Sequence, residues 1–196
     1  MLSLSSFFKE KIMNRKEITK FLSKLLEQDR LSGVGKYWAS EVTFDYGKTE
    51  LTEDGYKSLT RRVDYLQFCP EHQLSISGIE HGIFICYEIK SCKADYLSGH
   101  GQNFIGEKNY LVMTVQTYNE LKECGELNKL SNKIGIMVAM PYRRKYDKNK
   151  IENELKNPTD MEDIMDWYLE TVKNTRNSYR DRSTSELLFC MLRSKK

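Results

Sequence analysis

No two cysteines in this sequence form a Cys-x-x-Cys pair, and no apolar run approaches the roughly 20 residues that cross a bilayer. The five thiols, Cys69, Cys86, Cys92, Cys124 and Cys190, are odd in number and scattered, which argues against a disulfide framework or a zinc ribbon. Cys69, His72 and His81 with Cys86 or Cys92 match no common zinc spacing either. Three prolines and eleven glycines in 196 residues leave no sign of a low-complexity linker or a fibrous repeat. The N-terminal MLSLSSFFKEK carries its charges after its apolar residues, the reverse of a secretory signal, and Met13 could be the natural start. There is no GxxxxGK[ST] phosphate loop and no sign of a nucleophilic serine or cysteine triad. A net charge of +3 permits an anionic partner without demanding one. A soluble, cytoplasmic protein with no membrane partner is expected.

What is present is the alternation of helical and extended patterns. Ile18, Phe21, Leu22, Leu25 and Leu26 recur at helical spacing, predicting an amphipathic helix over 15–30 that Ser32-Gly33 and Gly35 end. EVTFDY (41–46) reads as a strand, and the turn-rich KTELTEDGYKSLT as a loop or hairpin arm. RRVDYLQF (61–68) alternates, with Val63 and Tyr65 on one face and Asp64, Leu66 and Phe68 on the other. LSISG reads as a short added strand, and IFICYEIK (83–90) as a central strand covered on both faces. A glycine-dotted connection with a short helix follows, then NYLVMTV as a strand, TYNELKECGEL as a helix and KIGIMVAMP as a second central strand. Beyond Pro141 come the basic loop YRRKYDKNK and helices over about 158–174 and 183–193. One domain spanning 1–196 is expected, its core over about 15–141 and a C-terminal helical extension over 142–196. Its class is a mixed α/β sheet flanked by helices.

The chemistry gathers in the apolar strand. Side chains two apart share a face, so Glu88 and Lys90 are neighbours there, and Asp64 can face Glu88 if the two strands pair. Two carboxylates on adjacent strands suit a hard divalent cation, and an amine beside them can orient a water or steady a phosphate. Period-two geometry alone leaves two readings open, a catalytic site and a salt-bridged strand end.

These residues carry a resemblance. RVDYLQF followed by YEIKSCKADYLSG resembles the PD-(D/E)XK nuclease superfamily, whose restriction-endonuclease-like core runs α-β-β-β-α-β. More narrowly it looks like the MmcB-type proteins associated with DNA repair and related phage proteins, and GHGQNFIGEKNYLVM and KIGIMVAMP extend the likeness over residues 35–141. The resemblance implies Asp64 as the first acid, Glu88 as the second, Lys90 as the catalytic lysine, and Glu41 as an additional glutamate near the metal. It further implies Mg2+ or Mn2+ on Asp64, Glu88 and Glu41, and DNA as the partner. Lys93 and Asp95 fall where the narrower group keeps polar residues, while Gln102, Asn103 and Asn109 lie in its polar connection. The motif's proline is replaced by Val63, and CPEHQLSISGIEHG is an insertion at the hairpin tip.

For binding the nucleic acid, the candidates are Arg61, Arg62, Lys93, Gln102 and Asn103, with Arg143, Arg144 and Lys145 in the basic loop. Tyr142 and Tyr146 are available there to stack on bases. His100 reads as a surface histidine rather than a general base. The resemblance thus implies a metal-dependent deoxyribonuclease acting in repair, recombination or mobile-element biology, and a homodimer would let it cut both strands. The other class of function compatible with the residues is a non-catalytic nucleic-acid-binding or protein-interaction module on the same fold.

Overall fold

The computed structural model describes residues 13–72, 75–142 and 163–194. Arg143, Arg144, Lys145 and Tyr146, together with the first residues of the helix expected from 158, lie outside them.

Helix α1 (Arg15–Leu26) begins with a capping box. The Asn14 side chain accepts from the backbone of Lys16 and Glu17, and Glu17 returns a bond to the Asn14 N–H at 2.7 Å. The predicted apolar stripe, Ile18, Phe21, Leu22, Leu25 and Leu26, is buried. The helix then widens into a π-helical turn, Glu27–Leu31, whose Asp29 and Arg30 reach the backbone N–H and C=O of Leu169.

Among the described residues eight strands follow: β1 (Tyr37–Phe44), β2 (Thr49–Thr52), β3 (Gly55–Ser58), β4 (Arg61–Cys69), β5 (Ile83–Lys90), β6 (Lys108–Thr114), β7 (Ile134–Pro141) and β8 (Trp167–Lys173). Helices α2 (Ile76–Glu80), α3 (Lys93–Leu97), α4 (Val115–Glu123), α5 (Glu126–Lys129) and α6 (Thr184–Arg193) are interspersed. Six strands form one sheet in the order β1-β4-β5-β6-β7-β8, while β2 and β3 make a separate exposed ribbon. Strands β1, β4 and β5 are antiparallel, β5, β6 and β7 parallel, and β8 returns antiparallel to β7. The mixed sheet flanked by helices is the expected class.

The sheet is covered on both faces. On one, α1 packs Leu22, Leu25 and Leu26 over Tyr65, Tyr87, Ile89, Val112, Met137 and Leu169. The other face carries two separate apolar patches. Over β1, β4 and β5, α6 sets Leu187, Cys190 and Met191 against Leu66, Phe84 and Cys86. Over β6 and β7, Tyr96 of α3 and Leu121 of α4 cover Leu111, Met113, Ile136 and Val138. Strand β5 runs between these two patches, so its last residues on that face emerge where neither patch covers them. None of the described helices is long and apolar enough to cross a membrane.

Three local expectations are corrected. LSISG is no strand: Ser75 Oγ caps the backbone of Gly78 and starts helix α2. Residues 167–173 are a strand, not the second half of a helix over 158–174. Trp167 and Leu169 are buried while Glu170 is exposed, and antiparallel pairing with β7 outweighs local helical preference. Finally, Val63 shares a cluster with Leu66 rather than a face with Tyr65. The ladder passes from Ser40↔Tyr65 to Val42↔Val63, omitting Glu41 and Asp64, and Glu41 has φ +51°, in the left-handed region. The facing alternation is broken at Asp64.

Candidate active site

The pairing of β4 with β5 runs from Cys69↔Ile83 to Tyr65↔Tyr87, and one further step sets Asp64 across from Glu88. The long insertion at the tip leaves this register intact, with α2 taking up the extra residues. Where the ladder lapses, the Asp64 side chain takes over: its Oδ2 accepts the Ile89 backbone N–H at 2.8 Å. The first acid is thus fastened to the strand that carries the second.

Glu88 follows Cys86 by two residues and shares its face. It is wholly buried, and neither carboxylate oxygen completes a hydrogen bond of ordinary geometry. Lys90 is also buried; its Nζ donates to the backbone carbonyl of His100 at 2.6 Å. The connection from Gly99 to Gly106 folds across both. Gly101 has φ +62°, and a Cβ there would lie 2.9 Å from Glu88 Oε2 and 3.2 Å from Lys90 Nζ. One point in space is therefore in contact with the acid and the amine together. The same connection is pinned by Gln102 Nε2 to Tyr96 O at 3.1 Å, Asn103 Nδ2 to Arg62 O at 2.9 Å, and Asn109, which bonds Gly106 through both its amide atoms.

The charges here are held under tension. Burial pushes the Glu88 carboxyl up to about 9, and the adjacent Asp64 charge adds to this. Lys90 and the facing Asn103 backbone amide pull the other way. Burial raises Asp64 as well, opposed by the Ile89 N–H and by the charges of Lys90 and Arg62. A buried carboxylate pair with too few donors favours either an added proton or an added cation.

The remaining candidates are placed differently. Glu41 is largely exposed and turns outward to Arg62, Oε2 to Nη1 at 3.4 Å. Its backbone lies in the left-handed region, at φ +51°. Asp95 is structural: it accepts from Ser91 N and Oγ, both at 3.1 Å, and meets Arg15 at 2.6 Å, locking α3 to the start of α1. Lys93 is half-buried on α3, and Arg61 is exposed at the start of β4. His100 contributes its carbonyl to Lys90 while its residue as a whole is exposed. Among the described residues no group of three His, Cys, Asp or Glu side chains stands ready for a metal. Asp64 and Glu88 are two carboxylates, a set that suits a cation that keeps several waters.

Two participants escape the sequence: Gly101, whose missing side chain leaves room above Glu88 and Lys90, and the His100 carbonyl. The glycine-dotted stretch GHG was the available signal, and it pointed to a loop rather than to a cover.

No family model matches the sequence, and no curated protein matches it. Among solved structures, a protein of unknown function from Silicibacter pomeroyi aligns at TM-score 0.46 and 12% identity, over 90% of this chain and 82% of its own. What the site can do is therefore read from its own residues.

Proposed function

We propose that the protein is a metal-dependent nuclease of the PD-(D/E)XK kind, hydrolysing phosphodiester bonds in DNA. One observation carries the reading: a wholly buried glutamate whose two oxygens complete no hydrogen bond of ordinary geometry among the described residues, beside a second acid, with a buried lysine on the same strand face. A purely structural ion pair would bring Lys90 onto a carboxylate. Here its nearest partner is a backbone carbonyl instead.

Asp64 and Glu88 fit a magnesium or manganese ion, because two hard oxygen donors meet where charge compensation is missing. Such an ion, when bound, polarises a phosphate and makes an attacking water more acidic. Asp64 contributes fixed geometry, since its second oxygen is held by Ile89. Glu88 supplies the charge that binding would release from its proton. Lys90, with one of its donors bound among the described residues, has others to offer a water or a phosphate oxygen. The loop over it limits bulk water. A cytoplasmic location accords with five free thiols.

The test is incubation of single-stranded, nicked, branched and duplex DNA with magnesium or manganese. Wild type is expected to cleave, and Lys90→Ala and Glu88→Ala to lose about 100-fold or more in rate. Equal cleavage by all three proteins sinks the assignment. No cleavage, with DNA binding that is indifferent to metal, selects the non-catalytic binding module.

A further inference from the structure

At the Arg61 end of β4 lies a second, polar cavity of about 370 Å³, lined by the cations Lys48, Arg61 and Arg182, the acids Asp45, Asp181 and Glu186, and the rings of Phe104 and Tyr179. Asn103 holds the carbonyl of Arg62, and their chain neighbours, Phe104 after the one and Arg61 before the other, line the cavity. Arg61 stands three residues before Asp64, about 10 Å along the same strand.

Two of its side chains stand out. Tyr179 is 98% exposed, yet the chain on both sides of it is tied down. Ser178 N donates to Glu107 O at 2.8 Å, and Arg180 meets Glu107 Oε1 at 2.8 Å, bonds Thr184 Oγ1 at 2.8 Å and lies over the Phe84 ring. The ring is thus presented to solvent from an anchored segment. Arg61 is the second. Its cationic neighbours Lys48 and Arg182 are both paired with Asp45, whereas the Arg61 side chain has no hydrogen bond or ion pair among the described residues.

We infer that this cavity is a subsite for one nucleotide of a single-stranded nucleic acid, its base stacked on Tyr179 and its phosphate held by Arg61. The inference rests on the nuclease reading for the kind of ligand, and it adds the strand form and the residues that grip it. The volume is of the size that takes one nucleoside-scale group, and a base stacked in it has to be unpaired. A tyrosine face stacks on any base, and an unpaired guanidinium is suited to a phosphate. The larger apolar groove of about 750 Å³ lined by Tyr37, Phe68, Ile79, Leu188 and Met191 lies toward the opposite end of β4, away from Asp64, and has no comparable charge.

The experiment is fluorescence anisotropy on metal-free protein with a labelled single strand of about 12 nucleotides and the matching duplex. The single strand is expected to bind more tightly than the duplex. Tyr179→Ala should weaken single-strand binding about 10-fold, while Tyr179→Phe, which keeps the ring face, stays within about 2-fold of wild type. Arg61→Ala should flatten the slope of log affinity against log salt by about 0.7. Tyr179 is exposed, so loss of fold does not confuse the result. Wild-type single-strand affinity in Tyr179→Ala, or no single-strand binding by the wild type, overturns the subsite. A protein that binds the strand through Tyr179 but cleaves nothing retires the nuclease reading and leaves the subsite standing. Cleavage with unchanged KM in Tyr179→Ala does the reverse.

Discussion

Arg182 sits between Asp45, at 2.5 Å, and Glu186, and Lys48 meets the other oxygen of Asp45 at 2.8 Å. On the same side of the sheet, Glu88 has two buried oxygens with no completed hydrogen bond, and Lys90 bonds only a carbonyl. Both clusters combine acids with a base. In the first, every charge is answered within the fold: Lys48 and then Arg182 hold the Asp45 carboxyl below the usual range, and the guanidinium also lies over the Phe44 ring. In the second, burial and a like charge push Glu88 the other way. A complete set stabilises the fold, while an incomplete one costs stability.

The contrast breaks most sharply if the two clusters respond alike to losing a charge. Arg182→Met removes the centre of the complete set and leaves a little-exposed Asp45 with Lys48 alone. It is expected to lower stability by about 3 kcal/mol, a fall in Tm on the order of 6–12 °C for a chain of this size. A thermal melt at neutral pH reads it. A shift within experimental scatter would mean that the pairs are solvated ornaments rather than a structural lock.

Glu88→Gln should move stability the opposite way, up by about 2 kcal/mol in metal-free buffer. The sign follows from proton counting. The Glu88 carboxyl titrates near 4.5 in the unfolded chain and is pushed up to about 9 in the folded one. Below about pH 4.5 both states hold the proton and nothing is lost. As pH rises toward 9 the unfolded chain releases its proton while the folded one retains it, so wild-type stability drains away through that window. Glutamine has no such proton, and its advantage should grow from about pH 5 to about pH 9. Melts of both proteins across that range in chelator check it, and a constant difference contradicts the buried, uncompensated carboxyl.

Much of this contrast could be read from the chain before any coordinates. The apolar run ahead of Glu88 forced a central strand, and period two then put Glu88 and Lys90 on one face. Opposition of Asp64 to Glu88 followed from simple pairing, because α2 absorbs the insertion without shifting the register. The exposed pairing of Glu41 with Arg62 was not legible, because a left-handed φ cannot be seen in a strand-like pattern such as EVTF. The β8 strand was missed because MDWYLETVK holds helix-compatible residues, and its partner β7 is distant in sequence. The Arg182 network was invisible for the same reason: Asp45 and Arg182 are 137 residues apart. Local pattern predicts what a residue faces along its own element, and long-range partners decide whether its charge is answered.

Gly101 offers the smallest change and the most selective one. At φ +62° an alanine costs about 1 kcal/mol in backbone strain, a drop of about 2–4 °C in Tm. Its methyl would stand 2.9 Å from Glu88 Oε2 and 3.2 Å from Lys90 Nζ, both ends of flexible side chains that can shift by a few tenths of an ångström. The fold therefore survives, but the space between acid and amine is filled. If a divalent ion settles there, magnesium or manganese should raise the Tm of wild type and raise that of Gly101→Ala much less, because binding to the folded state alone is what stabilises it. Melts with and without metal compare the two increments directly. Equal increments would place the ion elsewhere, and Glu88 would then be a buried acid kept neutral by its own proton.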